Sequence, residues 1–406
     1  MIQRNDYLNE LIKWKHDNLV KVVTGIRRCG KSTLLKLFIE HLKSEGVSEE
    51  QIIFINFEDL AFEYLEDYKT LYNYVLERLC KDKWTYVIFD EIQCVKGFEK
   101  TIDSLFVQKN VDIYITGSNA YMLSGELATL LSGRYVEISI LPFSFREYMQ
   151  GSNLNKEDSF NKFLKYGSFP YSLLLNSSED KVFQYLEGIY NTIIVKNIED
   201  RQNRKNGTKI IDVALLKSIT LYLADVVGNP VSIKGITDYL NSNGRKVSDH
   251  TVSDYISALT EAFIFYQVDR FDVIGKELLK TNKKYYLVDT GLRSYLLSKK
   301  NLDLGFVLEN VVFLELKRRG YKINIGKLRN KEIDFVVQKN GVFEYYQVSL
   351  NMSNETTFER EITPLKGIKD NYRKTILTLD KFSTGNYEGI EVVNVIDWLL
   401  KWVYLK

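Results

Sequence analysis

The chain has 406 residues, of which 45% are hydrophobic and 27% are charged, and its formal net charge is +2. This composition is typical of a soluble globular protein with two or three domains, and it excludes a strongly basic nucleic-acid coat and an acidic tail. The three cysteines and three histidines are widely scattered, which argues against a disulfide framework, a zinc site and a Ser-His-Asp triad. Neither a signal peptide nor a long apolar run is found, so we expect a cytoplasmic protein without a membrane partner.

The first 145 residues alternate short β-rich runs with amphipathic helical stretches. Predicted strands lie at 19–25, 52–57, 86–92, 111–118 and 135–141. Strands that alternate with helices indicate a parallel sheet covered on both faces. The fold class predicted for this region is therefore α/β.

A glycine-framed segment follows the first predicted strand and opens a predicted helix. Residues 25–32 read GIRRCGKS and match GxxxxGK[ST] at every fixed position. The two glycines let the backbone wrap closely around phosphate oxygens, and the helix N-terminus directs partial positive charge at them. Lys31 can reach the β- and γ-phosphates, and Ser32 can offer a hydroxyl to Mg²⁺. The segment predicts a site for ATP with Mg²⁺ formed by Gly25, Ile26, Arg27, Arg28, Cys29, Gly30, Lys31, Ser32 and Thr33.

Polar residues lie at or near the ends of three other predicted strands. Asp90 suits a water-mediated Mg²⁺ ligand, and Glu91 suits the general base that activates water, which favours hydrolysis over binding alone. Ser118 could touch the γ-phosphate or the attacking water. Arg134 could present a positive charge to a phosphate in its own subunit or a neighbour's, or it could be a surface arginine. Asn56 could hold Glu91 by a hydrogen bond.

Four segments together resemble AAA-type ATPases of a bacterial and archaeal group that carries a C-terminal domain of unknown function. They are TGIRRCGKST, YVIFDEIQ, YITGSNA and LLSGRYVEISILPFSFREY, and the resemblance continues to the chain end through YGSFP, KEIDFVV, YYQVS and TPLKGIKDNYRKTILTLD. It implies a P-loop AAA+ core at 1–145, a helical lid at 146–203, a winged-helix domain at 204–298 and a restriction-endonuclease-like α/β domain at 299–406. It also implies Walker and sensor roles for Lys31, Ser32, Asp90, Glu91 and Ser118, an arginine-finger role for Arg134, and a homo-oligomer.

Three helical patterns followed by two extended stretches at 264–291 form the predicted winged helix. The helix that begins near Ser248 would face a DNA major groove, but its first residues are not the arginines and lysines that dominate such contacts. Better candidates for phosphate contacts are Arg245, Lys246, Arg270, Lys276, Lys280, Lys283 and Lys284. Winged helices also bind proteins, and both alternatives stay open.

The last predicted domain carries the outline of a PD-(D/E)xK nuclease site. Glu309 lies on a predicted helix and Asp334 on a predicted strand, but Gln347 and Ser349 stand where the glutamate and lysine are required. An amide holds no divalent cation and a serine offers no positive charge, so we expect a degenerate nuclease site without cleavage. Nearby basic residues could form a solvated face or a nucleic-acid surface; they are Lys317, Arg318, Arg319, Lys322, Lys327, Arg329 and Lys331.

The function expected from these features is Mg²⁺-dependent ATP hydrolysis that acts as a switch or motor on DNA or another macromolecule. An ATP-gated nuclease and a non-hydrolysing nucleotide-binding adaptor are the alternatives.

Overall fold

The computed structural model describes residues 2–120, 131, 133–175, 178–204, 212–298 and 303–401, with the backbone alone for 195–204, 280 and 281. The chain forms two compact units: Met1–Pro142 with Glu261–Phe263, and Phe143–Thr260 with Ile264–Lys406. The boundary after Pro142 lies close to residue 145, where the sequence predicts the end of the ATPase core. The divisions predicted at 203 and 298 fall inside the second unit and stay predictions.

The first unit contains a five-stranded parallel sheet in the order β2-β3-β4-β1-β5. The strands are β1 Val20–Thr24, β2 Ile52–Asn56, β3 Thr85–Asp90, β4 Val111–Gly117 and β5 Tyr135–Ser139. The helices are α1 Asn5–Lys13, α2 Lys31–Ser44, α3 Tyr68–Leu76 and α4 Phe98–Phe106, with 3₁₀ turns at Glu49–Gln51, Leu60–Leu65 and Ile92–Cys94. Every strand predicted in this region is present, so the α/β prediction is confirmed.

Helices cover both faces of this sheet, which explains why its inner strands β1 and β3 are buried along their whole length. Val22 and Phe89 pack with Leu71 of α3 in one core cluster, whereas Tyr114 of β4 contacts Phe38 of α2. Because β1, β3 and β4 are parallel, their carboxyl ends meet at one edge, where the predicted nucleotide residues lie.

The second unit is helical over its first part. Its helices are α5 Phe145–Gln150, α6 Lys156–Tyr166, α7 Pro170–Leu175, α8 Glu179–Arg204, α9 Val213–Asp225, α10 Ile233–Ser242, α11 Asp249–Glu261, α12 Thr290–Leu297, α13 Leu304–Arg318, α14 Glu355–Lys366 and α15 Val395–Leu400. The linker predicted at 201–208 begins inside α8, and residues 205–211 lie outside the described part. None of the described helices is long and apolar enough to cross a membrane.

An eight-stranded mixed sheet completes the second unit, in the order β12-β13-β11-β10-β9-β8-β6-β7. The strands are β6 Phe265–Asp272, β7 Glu277–Leu287, β8 Lys322–Leu328, β9 Lys331–Lys339, β10 Val342–Ser349, β11 Arg373–Thr378, β12 Gly385–Tyr387 and β13 Ile390–Asn394. Asn340 and Gly341 both have positive φ and turn β9 into β10, as the Asn-Gly pair predicts.

The hairpin β6–β7 follows three helices, as the winged-helix pattern requires, but its strands belong to the C-terminal sheet. β6 pairs in parallel with β8 through Arg270 and Ile325. Val273, at the end of the hairpin strand, packs in the same core cluster as Ile333 and Ile376. Residues on both sides of 298 therefore share one sheet and one core.

Candidate functional site

The segment 25–32 turns from β1 into α2 as the sequence predicts. Gly25 has φ of 152°, and a Cβ there would stand 2.3 Å from the carbonyl oxygen of Ile140, so only glycine fits. Gly30 precedes α2 with φ of 104°, in the left-handed region. Since the first amides of a helix have no partner within it, the start of α2 offers N–H groups to this turn.

Lys31 is buried within the turn. Its side chain is 3% exposed, and its Nζ donates hydrogen bonds to the carbonyl oxygens of Gly25 at 3.1 Å and Ile26 at 3.5 Å. The same Nζ lies 3.2 Å from Oε1 of Glu91. Lys31 thus joins the glycine-framed turn to the residue after β3, two segments that the sequence predicts to meet.

Asp90 ends β3 and is fully buried. Its Oδ1 accepts a hydrogen bond of 2.6 Å from Oγ1 of Thr116, on the neighbouring strand β4. Its Oδ2 is buried and has no hydrogen-bond partner among the described residues. A buried carboxylate oxygen without a partner is costly, and a cation or its bound water would satisfy it.

Glu91 follows in the left-handed conformation, with φ of 54°. Its amide donates to Oγ1 of Thr116 at 2.9 Å, and its Oε2 accepts hydrogen bonds from Gln93 at 2.5 Å and Ser118 at 3.0 Å. Burial acts to raise the pKa of Glu91, but Lys31 and the bonds from Gln93 and Ser118 outweigh it and lower the pKa below its ordinary value. Glu91 is therefore an ionised carboxylate at neutral pH.

The arrangement suits a Mg²⁺ ion that is bound by only a few protein ligands. Ser32 lies in the first turn of α2, and Asp90 offers its unpartnered oxygen from β3. The described residues contain no group of three or more His, Cys, Asp and Glu side chains that could hold a metal. Mg²⁺ at phosphate sites is commonly bound by one or two protein groups together with phosphates and water. The pair Ser32 and Asp90 suits that mode.

The other predicted residues of the turn have separate environments. Ile26 and Cys29 are fully buried, and burial raises the pKa of the Cys29 thiol. Arg28 is exposed with positive φ. Arg27 pairs with Glu58, and its Nη1 is buried without a hydrogen-bond partner among the described residues. Thr33 is partly buried in the first turn of α2.

A buried arginine that sequence reasoning missed supports the turn from behind. Arg4 is 1% exposed, and it donates to the carbonyl oxygens of Cys29 at 2.8 Å and Leu141 at 2.7 Å. The hydroxyl of Tyr7 accepts a hydrogen bond of 3.1 Å from the amide of Leu141. No motif surrounds Arg4, so the sequence offers no signal for this role.

Asn56 does not hold Glu91, and Arg134 lies away from the nucleotide turn of its own chain. Arg134 precedes β5, and its carbonyl oxygen accepts a hydrogen bond from the amide of Val20, the first residue of β1. The nucleotide turn follows the last residue of β1. Because β1 has five residues, the backbone of Arg134 lies about 13 Å from the start of the turn, at the opposite end of the strand. Its side chain pairs with Asp103 at 3.1 Å. Asn56 accepts a bond from the amide of Glu58, and Glu91 is held instead by Gln93 and Ser118. An arginine finger reaching a neighbouring subunit stays a prediction.

The predicted degenerate nuclease residues lie in the second unit, three of them close together. Asp334 accepts from the amide of Val348 at 2.7 Å, and its own amide donates to Gln347 at 3.3 Å. Burial and the neighbouring Glu309 raise the pKa of Asp334 well above its usual range. Ser349 donates instead to the carbonyl of Asn351 at 3.2 Å, outside this group.

Two further charged residues, Glu361 and Lys284, complete this group. Glu361 of α14 accepts a bond of 2.9 Å from the Gln347 amide. Lys284 of β7 is 2% exposed and contacts Glu309, so it cannot touch a DNA phosphate as the sequence analysis expected; that expectation was wrong because the side chain points into the unit. The side chain of Lys280 lies outside the described part.

Several other basic residues of the second unit bind protein groups. Arg318 and Arg319 both pair with Glu315, and Arg319 also stacks on Trp398 at 3.9 Å. Lys317 lies over Tyr266 at 4.7 Å. Of the basic residues that the sequence offers as nucleic-acid contacts, the exposed ones within the described part are Lys246, Lys276, Lys322, Arg329 and Lys331.

Known proteins resemble the chain along its whole length. Residues 17–149 match an AAA domain, and residues 157–303 match a domain of unknown function, DUF8612. An uncharacterized protein of Haemophilus influenzae is 40% identical over 99% of both chains. An uncharacterized protein of Methanocaldococcus jannaschii is 32% identical over 94% of this chain and 85% of its own. Among solved structures, a Walker-type ATPase of Pyrococcus abyssi is similar with 16% identity, 73% of this chain and 96% of its own covered, and a TM-score of 0.49. The chain therefore belongs to the same protein family as the Haemophilus influenzae protein, and it is an AAA-type protein whose AAA domain is followed by a domain of unknown function.

Proposed function

We propose that this protein binds ATP with Mg²⁺ at residues 25–33 and hydrolyses it, and that turnover acts as a switch or motor on DNA or another macromolecular partner. The observation that carries the proposal is the 3.2 Å contact between Lys31 Nζ and Glu91 Oε1. It joins the predicted phosphate-binding lysine to the predicted general base at the carboxyl edge of the sheet.

The turn and the start of α2 bind the triphosphate through backbone amides. Lys31 gives up its contact with Glu91 and moves its ammonium to the β- and γ-phosphates. Arg4 keeps the turn in shape because it holds the Cys29 carbonyl from behind. The buried Nη1 of Arg27, which has no partner among the described residues, is available to a phosphate oxygen.

Ser32 and the unpartnered oxygen of Asp90 would hold Mg²⁺ beside the nucleotide. When bound there, the ion would supply positive charge that offsets the charge of the phosphate oxygens. Thr116 fixes Asp90 by its 2.6 Å hydrogen bond, so the free oxygen keeps its direction.

Glu91 takes a proton from the attacking water once Lys31 has left it. Ser118 and Gln93 both hold Oε2, which leaves Oε1 for the water. A positioned general base contributes about 10²- to 10⁴-fold to a rate.

Phosphate release from Mg·ATP by the purified chain tests this proposal. We expect Mg²⁺-dependent turnover in the wild type, loss of binding and turnover in Lys31→Ala, and normal turnover in Lys36→Ala, an exposed lysine on the same helix. If Lys31→Ala hydrolysed ATP as fast as the wild type, the proposed role of Lys31 in phosphate binding would be refuted. If the purified chain bound ATP but did not hydrolyse it under any condition, the result would favour the alternative of a non-hydrolysing nucleotide-binding adaptor.

The macromolecular partner is assigned to the second unit. Support comes from the three helices followed by the hairpin β6–β7 and from the exposed Lys246 and Lys276 beside these elements. We expect DNA or RNA to stimulate turnover, and Lys246→Glu with Lys276→Glu to remove the stimulation while leaving basal turnover unchanged. Lys36→Glu makes the same charge change elsewhere and is the control; equal loss in both would show a non-specific charge effect.

DNA cleavage is not part of the proposal. Gln347 donates its amide to Glu361, and Ser349 turns to a backbone carbonyl. These contacts give Gln347 and Ser349 structural roles within the sheet.

A further inference from the structure

The side chain of Gln93 lies beside Glu91 and keeps one polar atom unused. Gln93 belongs to the 3₁₀ turn Ile92–Cys94, which directly follows Glu91. Its Nε2 donates a hydrogen bond of 2.5 Å to Oε2 of Glu91. Its Oε1 is buried and has no hydrogen-bond partner among the described residues. The site therefore contains a buried acceptor that requires a donor.

The orientation of this amide follows from its contact with the carboxylate. If its oxygen and nitrogen were exchanged, two acceptor oxygens would face each other and repel. The nitrogen of Gln93 must therefore face Glu91, and the oxygen is the atom left over. A buried amide oxygen without a donor is unfavourable, so a molecule that donates a hydrogen bond to it is stabilised there.

The unused oxygen is close enough to share a water molecule with Glu91. Amide bonds of about 1.2 and 1.3 Å place Gln93 Oε1 no more than about 5 Å from Glu91 Oε2. A water with hydrogen bonds of roughly 2.8 Å to two acceptors spans up to about 5.6 Å. The carboxylate and the amide oxygen are thus within the reach of one water. Ser118 also donates to Oε2, so Oε1 is the carboxylate oxygen that becomes free when Lys31 leaves.

We propose that Gln93 holds the attacking water together with Glu91: the water donates one hydrogen to Glu91 and the other to Oε1 of Gln93. Glu91 takes the first proton while the water oxygen bonds to the terminal phosphorus. The bond from that phosphorus to the bridging oxygen breaks, and its electron pair goes to ADP.

Two acceptors on one water restrict its rotation and direct a lone pair at the phosphorus. Glutamine side chains orient the attacking water in other phosphoryl-transfer sites. The inference rests on the proposed function, in which Glu91 is the general base, and it adds a second residue that contacts the reacting water.

Gln93→Met tests the inference, because methionine fills a similar space without an amide. We expect kcat for ATP hydrolysis to fall about 10- to 100-fold, as for the loss of one hydrogen bond in the transition state. The ratio kcat/KM is expected to fall by the same factor, since Gln93 contacts the water and Glu91 rather than the nucleotide. Gln108→Met makes the same change at another half-buried glutamine of the first unit and is expected to change neither quantity.

Ser118→Ala separates the contact with the water from the hold on Glu91. Gln93 and Ser118 each lower the pKa of Glu91 by a hydrogen bond to its carboxylate. Losing either bond is therefore expected to move the acid limb of the kcat profile to higher pH. Above that limb, at about pH 8, Gln93→Met is expected to lose more activity than Ser118→Ala. Equal losses there would overturn the inference, because Gln93 would then act through Glu91 alone.

The affinity for ADP with aluminium fluoride gives a readout apart from turnover, because this complex mimics the transferring phosphoryl group with the attacking water in place. Gln93→Met is expected to bind it at least about tenfold more weakly than the wild type and to bind ATP equally well. Wild-type kcat or wild-type affinity for this complex in Gln93→Met would overturn the inference. Gln93→Leu takes its place, with the same expectations, if the Met variant does not fold. A wild-type rate in Glu91→Gln would instead refute the proposed base, whatever the Gln93 variants show.

Discussion

Glu91→Gln is predicted to change nucleotide affinity and turnover in opposite directions. Lys31 and Glu91 form an ion pair at 3.2 Å with side chains only 3% and 7% exposed. A triphosphate must draw the ammonium away from this carboxylate before it can bind. The substitution therefore removes a competitor of ATP as well as the proposed general base.

The size of the competition follows from the distance. At an effective dielectric constant of about 20, two unit charges 3.2 Å apart attract by about 5 kcal/mol before desolvation is subtracted. The net contribution of a hydrogen bond to a charged group is about 1.5–3 kcal/mol. We expect Glu91→Gln to lose roughly that much stability without nucleotide, and to bind ATP about 10- to 100-fold more tightly, because each 1.4 kcal/mol is about tenfold.

Titration with a fluorescent ATP analogue and phosphate release under single-turnover conditions measure the two effects. Turnover is expected to fall about 10²- to 10⁴-fold. Glu40→Gln, an exposed position on α2, is the matched control and is expected to change neither quantity. Unchanged or weaker ATP binding in Glu91→Gln would refute the competition, and unchanged turnover would refute the role of Glu91 as base.

Three further predictions concern the supports of the site. Thr116→Val leaves Asp90 Oδ1 and the Glu91 amide without their buried partner, and is expected to lower the free energy of unfolding in urea by about 2–4 kcal/mol, whereas Thr116→Ser keeps both bonds. Arg4→Met removes donors from the Cys29 and Leu141 carbonyls and is expected to weaken ATP binding at least tenfold, as calorimetry would detect; unchanged affinity would show that the turn keeps its shape alone. Because the folded-state pKa of Glu91 is lowered, its stabilising contribution is full above the unfolded pKa near 4.5 and is lost as pH falls through the lower folded value. The stability difference between wild type and Glu91→Gln is thus expected to be constant from pH 8 to about 6 and to shrink below about 4.5; a difference that grows in acid would contradict this sign.

The nucleotide turn could be predicted from sequence because its determinants are local. Gly25, Gly30 and Lys31 lie within seven consecutive positions, and the strand before and the helix after them are each encoded by a short apolar pattern. The meeting of Lys31 with Glu91 also followed, since parallel strands end at a common edge.

Contacts between distant segments could not be predicted in this way. Arg4 reaches Leu141 across 137 positions, and Lys284 reaches Glu309 from a hairpin that the sequence assigns to a different domain. Charge and spacing alone do not say which lysine is exposed and which is buried. For this reason, the prediction that Lys284 contacts a phosphate was wrong.

The end of the chain shows a second limit of pattern reading. The apolar run near 390–400 contains both a strand, β13, and a helix, α15. Asn394 separates them, because its side chain accepts from the amides of Ile396 and Asp397 and caps the helix. An apolar run without clear periodicity does not reveal such a change of structure.

The most direct test of the central claim is a crystal structure of Glu91→Gln grown with ATP and Mn²⁺, with the metal located by its anomalous scattering. We expect the triphosphate against residues 25–32 and the Mn²⁺ between the Ser32 hydroxyl and Asp90. A nucleotide bound elsewhere, or a metal remote from Asp90, would contradict it.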